Sequence, residues 1–196
     1  MLLDTIIDSK NKIAIVRELS NHENWEYTIS ELAKETRIHR VRVSGTIKYL
    51  ADMGVIKIKT KGKIKLISIN KENYLVKNII INLFEKEKNL AFEIADDIVR
   101  NMNKERIISV ILFGSAIKKD FRFNSDIDLM ILYDKKINNK RIERIIEEYN
   151  KKGLLISYDS LDIKEFKKFL KEKEPSIVTL IKDNKVVYGK KILELI

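Results

Sequence analysis

The sequence predicts an α/β (α+β) protein in two units. A small mixed sheet backed by helices is expected over 88–196, a helical unit with a two-stranded hairpin over 1–72, and a connecting helix over 73–87. Three observations carry this. Ile107 to Phe113 and Ile127 to Leu132 are apolar runs rich in β-branched residues, which read as buried strands. After them, amphipathic helical segments alternate with extended ones, the pattern of a sheet covered by helices. Before them, three short helical segments lead into an alternating Ile/Lys stretch, Val55 to Ile69.

Taken in order, Ser9 to Leu19 is amphipathic, with Ile13, Ile15, Val16 and Leu19 on its apolar side. Thr28-Ile29-Ser30-Glu31 is a capping box and opens a helix to Thr36. A turn at Arg37-Ile38-His39 precedes a third helix, Val41 to Met53, closed by Gly54. In the alternating stretch a turn at Lys61-Gly62 is expected. Ile56, Ile58, Ile64 and Leu66 then fall on one side, and Lys57, Lys59, Lys63 and Lys65 on the other. Residues 71–104 are helical in pattern. Tyr74, Val76, Ile79, Ile80, Leu83 and Phe84 form one stripe, and Leu90, Ala91, Ile94, Ala95 and Ile98 another; both read as core packing. Arg141 to Tyr149 is a helix ended by Gly153, and Leu154 to Asp159 a strand. Asp162-Ile163-Lys164-Glu165 reads as a second capping box, and Pro175 opens a helix through Lys182. Lys185 to Gly189 is extended, and the chain closes on a short helix.

Hydrophobic residues make up 44% and charged residues 35%, a composition that supports a packed core in a water-soluble chain. The longest apolar runs, such as Ile79-Ile80-Ile81, fall far short of a bilayer span. Asp4 stands where a signal peptide needs a basic start, so a cytoplasmic location and no membrane partner are expected. The absence of cysteine excludes disulfides and thiolate metal sites. The formal net charge of +10 is concentrated. Residues 34–65 hold ten basic side chains against Glu35 and Asp52, an excess that points to a polyanion.

Chemistry is expected around Gly114-Ser115 and Asp126-Ile127-Asp128. The glycine ends the first strand in a turn that lets a phosphate approach the backbone. If Ala116 to Lys119 starts a helix, the Ser115 hydroxyl and the first free N–H groups face one anion site. Asp126 and Asp128, two apart in extended chain, share a face opposite Ile127 and Leu129. Two hard oxygen donors beside a phosphate cradle suit Mg2+ held between protein and nucleotide.

Gly114, Ser115, Ser125, Asp126 and Asp128 together, in this order and spacing, resemble the DNA polymerase β-like nucleotidyltransferase superfamily, and within it the minimal nucleotidyltransferases. The resemblance implies transfer of a nucleoside monophosphate, AMP from ATP or another nucleoside triphosphate, with two Mg2+ (or Mn2+) ions on Asp126 and Asp128. Gly114, Ser115 and Ser125 would bind the nucleotide, with Lys118 and Lys119 neutralising charge. Many family members carry a third acid on a later strand. That position falls here on Ser157, a departure; Asp159, two residues on and on the same strand face, is the candidate third ligand and catalytic acid. Asp162 reads as a helix cap.

Residues 5–70 resemble a winged helix-turn-helix domain. The resemblance implies double-stranded DNA as partner, with Arg40, Arg42 and Ser44 (and His39 and Thr46 beside them) facing bases, and Lys57, Lys59, Lys61, Lys63 and Lys65 tracking phosphates. Minimal nucleotidyltransferases include antitoxin-type proteins that adenylylate a HEPN-type toxin, and others that modify small hydroxylated compounds. The alternative is a transcription regulator whose transferase fold binds nucleotide without turnover. Either reading is compatible with an oligomer.

Overall fold

The computed structural model describes residues 3–4, 6–117, 125–135, 137 and 139–195. It divides into two compact units, 1–88 and 89–196, each with its own core.

In the first unit, helices α1 (Lys10–Asn21), α2 (Ile29–Thr36) and α3 (Arg40–Asp52) precede the antiparallel strands β1 (Ile56–Lys61) and β2 (Ile64–Ile69). Helices α1 and α2 start where the sequence supplies a capping side chain. Ser9 accepts a hydrogen bond from the Lys12 N–H at 3.3 Å. Thr28 and Glu31 form the reciprocal box, with the Thr28 N–H donating to Glu31 Oε2 at 2.7 Å and the Glu31 N–H to Thr28 Oγ1 at 3.2 Å. Ile15, Val16, Leu19, Leu32, Val43, Leu50 and Ile67 are fully buried, or nearly so, in one core. A backbone bridge from Tyr27 to Ile67 ties the loop before α2 to the hairpin. The three helices and hairpin are a winged helix-turn-helix arrangement.

Two expectations are corrected in this unit. The hairpin turn is Gly62-Lys63, because Lys61 pairs with Ile64. Gly62 has φ +61°, as a two-residue turn with a left-handed first central position requires. Across any two-residue turn, odd positions of one strand oppose even positions of the other, so Ile64 and Leu66 lie on the face of Lys57, Lys59 and Lys61, opposite to the side expected, and Lys65 lies with Thr60 on the face of Ile56, Ile58, Ile67 and Ile69. The first stripe of the long helical region also divides. Residues Val76–Ile80 form a π-helical turn running into α4 (Ile81–Asn101). Val76, Ile80 and Phe84, four apart, are buried in the first core, whereas Ile79 and Leu83, one position earlier, lie half-exposed, and Tyr74 is exposed. The stretch read as a connector therefore contributes to the core of the first unit.

In the second unit a four-stranded sheet has the order β5-β4-β3-β6: β3 (Ile107–Phe113), β4 (Ile127–Tyr133), β5 (Ile156–Asp162) and β6 (Asn184–Gly189). β3 runs antiparallel to β4 and β6, and β4 parallel to β5, the mixed sheet expected. Alternate residues serve two faces. Val110, Leu112, Ile127, Leu129 and Ile131 pack with Ala91, Ala95 and Ile98 of α4 and with Ile142 and Ile146 of α5 (Asn139–Asn150). Ile111, Met130 and Leu132 pack with Phe166 of α6 (Ile163–Lys171) and with Ile177 and Leu180 of α7 (Pro175–Lys182). Asp162 caps α6 by accepting from the Lys164 N–H at 2.7 Å. The chain ends in a 3-10 turn, Ile192–Glu194.

Candidate functional site

The site lies where β3 ends and β4 begins. Phe113 and Asp128 are register partners, so Gly114 leaves the sheet beside the Asp128 side chain. Gly114 has φ +73°, and a Cβ built on it would collide with Asp128 Oδ2. The volume left by the missing side chain is thus taken by a carboxylate. Glycine is required here for the backbone angle and for the space. Residues Gly114–Ile117 form a 3-10 turn, and the Ser115 hydroxyl donates to the Asp126 backbone carbonyl at 3.2 Å, tying the exit of β3 to the entry of β4.

Asp128 shares the α6/α7 side of β4 with Met130 and Leu132, which are buried below it. It is half-buried at the sheet's rim, and Asp126, two residues earlier, is exposed. Ser125 is half-buried before it. Lys118 and Lys119 lie outside the described residues.

Ser157 is the parallel register partner of Asp128, and its hydroxyl donates to Asp128 Oδ1 at 2.7 Å. Asp159 pairs with Met130, one pleat further along, about 6–7 Å from Ser157 at the usual strand rise. Among the described residues no three His, Cys, Asp or Glu side chains gather as a metal site. The structure brings Gly114, Asp128 and Ser157 together and sets Asp159 apart from them, because the register is parallel and unshifted at this point. The donor set fits a divalent cation in part: two carboxylates and the Gly114 turn are present, and a neutral hydroxyl holds the third place. Sequence reasoning missed that Ser157 occupies one of the Asp128 oxygens. The only sequence signal for it was the spacing to α6.

In the first unit the exposed face of α3 carries Arg40, Val41, Arg42 and Ser44, while Val43 and Ile47 point into the core. The wing lysines divide into two groups. Lys57 pairs with Glu72, and Lys59 with Glu26 at 3.0 Å, both at the base of the hairpin. Lys61, Lys63 and Lys65, nearer the tip, have no ion-pair partner among the described residues. Sequence reasoning treated all five as equivalent, because the acids that pair with the first two lie on distant stretches of chain. Ile64 stands among the lysines at 55% exposure.

No helix among the described residues is long and apolar enough to cross a membrane. The family described as polymerase beta, nucleotidyltransferase matches residues 96–192. No curated protein matches the sequence. Among solved structures, NadR in complex with 4-hydroxyphenylacetate is 14% identical, with a TM-score of 0.39, 50% of this chain covered and 67% of that one. The homodimeric winged helix-turn-helix domain Mb0332 of Mycobacterium bovis, a possible ArsR-family regulator, is 18% identical, with a TM-score of 0.34, 47% of this chain covered and 82% of that one. A toxin-antitoxin structure with AMP-PNP is 16% identical, with a TM-score of 0.35, 52% of this chain covered and 74% of that one. These overlaps are partial, and the winged-helix assignment stands on the element order and pairing of the first unit. Residues 96–192, which hold the Gly114 turn and both aspartates, are a nucleotidyltransferase domain of the polymerase beta family, preceded in this chain by a winged helix-turn-helix unit.

Proposed function

We propose that this protein transfers a nucleoside monophosphate, AMP from ATP, to a protein or small-molecule hydroxyl, and that its winged unit binds double-stranded DNA, as an antitoxin-type protein would. The observation that supports this most is the Asp128 carboxylate seated over Gly114 in a domain of this family, with Asp126 two residues before it. Asp126 and Asp128 would hold the divalent ion, Mg2+ or Mn2+. When bound, the ion would supply Lewis-acid activation of the phosphate and neutralise its charge.

The chain's own residues do the positioning. The turn at Gly114 and Ser115 leaves backbone open to the β- and γ-phosphates, which aims the α-phosphate at the acceptor. The acceptor oxygen attacks phosphorus, the bond to the β-phosphate oxygen breaks, and pyrophosphate leaves. The acceptor proton passes to a carboxylate or to water. Lys118 and Lys119 follow the turn in sequence and are the proposed partners of the leaving group. Asp159 remains the proposed acceptor-side acid, reached only if β5 shifts relative to β4. A HEPN-type toxin is the proposed protein acceptor. For DNA, Arg40, Arg42 and Ser44 would face bases, and the wing lysines phosphates.

A second reading is favoured by the Ser157–Asp128 hydrogen bond. A hydroxyl in the acid's place suits a domain that binds nucleotide without turnover and reports it to the DNA-binding unit. Incubation with α-labelled ATP, Mg2+ and a lysate of the source cell separates the two. A labelled macromolecule or small compound supports transfer. Saturable ATP binding with no labelled product supports the regulator.

A further inference from the structure

We infer a second binding site, for a small amphipathic anion, at the end of the sheet opposite Asp126 and Asp128. A cavity of ≈ 260 Å3 opens there between the start of β3 and α5. Met102, Ile107 and Ile142 are buried in its lining and Ile145 is half-buried, so its floor is apolar. Exposed Arg106 and Arg141 stand on its walls, with Glu105 as the single acid in the lining. Neither guanidinium has a hydrogen-bond or ion-pair partner among the described residues. Arg106 also sits at φ +71°, a backbone conformation that costs a non-glycine residue free energy. Glycine would sit there without cost, so an arginine held in this conformation directs attention to what its side chain does.

A charged head and an apolar pit define the ligand class. Two guanidinium forks recognise a carboxylate through paired N–H donors. The pit asks for a short aliphatic or aryl body. The volume lies just under the roughly 300–1,000 Å3 common for drug-sized ligands, which sets the body at the scale of a medium-chain acid. The two ends of β3 are about 20 Å apart at the usual strand rise. The site is therefore separate from the aspartate pair and does not depend on the transferase reading.

Titration calorimetry of the full-length chain with octanoate tests this, with octylamine as the same tail under the opposite charge and inorganic phosphate as anionic charge alone. Saturable octanoate binding at millimolar concentration is expected, with no binding of octylamine and at least tenfold weaker binding of phosphate. Arg106→Gly should weaken octanoate binding at least tenfold while leaving the melting temperature unchanged or higher, since glycine suits the backbone. Arg141→Gln should weaken it similarly, and Arg144→Gln, on the same helix but outside the cavity, should not. No saturable octanoate binding, equal binding of octylamine, or binding that survives Arg106→Gly and Arg141→Gln combined would each overturn the inference.

Discussion

Two of the antiparallel pairs, β1–β2 and β3–β4, join strands consecutive in the chain, and each carries charged groups near the end where its strands are joined. They hold those groups very differently. β3–β4 lies inside a four-stranded sheet with helices on both faces, and Asp128 is fixed by three neighbours: Phe113 across the ladder, Ser157 alongside, and Gly114 beneath. β1–β2 has one face on a core and one in solvent, and its tip lysines are held only by the strand that bears them. A carboxylate that must meet a metal needs placement to a fraction of an ångström. Lysines that meet a phosphate backbone need only the right side and roughly the right spacing. Changes at the first site should act all or none, and changes at the second should act in increments.

The sharpest break is at the aspartates. Asp126→Asn with Asp128→Asn should abolish Mg2+-dependent ATP binding, a loss of at least about a hundredfold, with the fold kept. Calorimetry on the folded double variant checks it, and unchanged binding would remove the metal assignment.

Next comes Gly114→Ala. Its Cβ would meet the Asp128 carboxylate and its φ would be strained, so destabilisation of about 1–3 kcal/mol is expected together with lost nucleotide binding. Thermal melts beside ATP titrations read both. An alanine that bound ATP normally would show that the close approach at Gly114 is incidental.

Ser157 separates transfer from sensing. Ser157→Asp should create or raise transfer if the position needs an acid, whereas Asp159→Ala should abolish transfer if β5 shifts to bring Asp159 to the site and be silent if it stays paired beside Met130. An inactive wild type with an inactive, folded Ser157→Asp would favour the regulator. Loss of transfer in Asp159→Ala would show that β5 moves during turnover.

On the wing the effects are graded. Alanine at Lys61 or Lys63 should each flatten the slope of log affinity against log salt by about 0.9. Alanine at Lys57 or Lys59 should flatten it less, since Glu72 and Glu26 already pair with them. Arg42→Ala should instead change sequence preference. Equal slopes for all four lysines would erase the division between base and tip.

The smallest effect is alkaline. Burial and the hydrogen bond to Asp97 push the Tyr149 phenol up to about 12, and burial with Glu18 pushes Tyr27 up as well. The unfolded chain loses these protons first, near pH 10. The stability linked to them is therefore full below about pH 10 and falls as pH rises through the folded values. Tyr149→Phe should flatten that decline between pH 10 and 12 in urea melts. An unchanged decline would mean that Tyr149 titrates as it does in the unfolded chain.

Much of this was legible in the sequence because it rests on local signals. The Thr28/Glu31 box, the Pro175 start and the two apolar strands need only neighbours a few residues away, and Gly114-Ser115 and Asp126-Ile127-Asp128 are two short patterns on one stretch of chain. What escaped depends on register between distant segments. Pairing across the two-residue wing turn sets Ile64 and Leu66 on the lysine face, which alternation along each strand taken alone does not show. The π-turn at Val76–Ile80 left Ile79 and Leu83 off the buried stripe. The Ser157–Asp128 contact spans 29 residues and follows from a parallel pairing that no local pattern announces.

The shared space at Gly114 has a consequence for descent. Because the carboxylate fills the volume a side chain would take, positions 114 and 128 are not free to drift separately. A related chain that acquires a side chain at the first must carry the carboxylate at the second in another place than this one. That single codon would mark a lineage in which the acid's seat has moved.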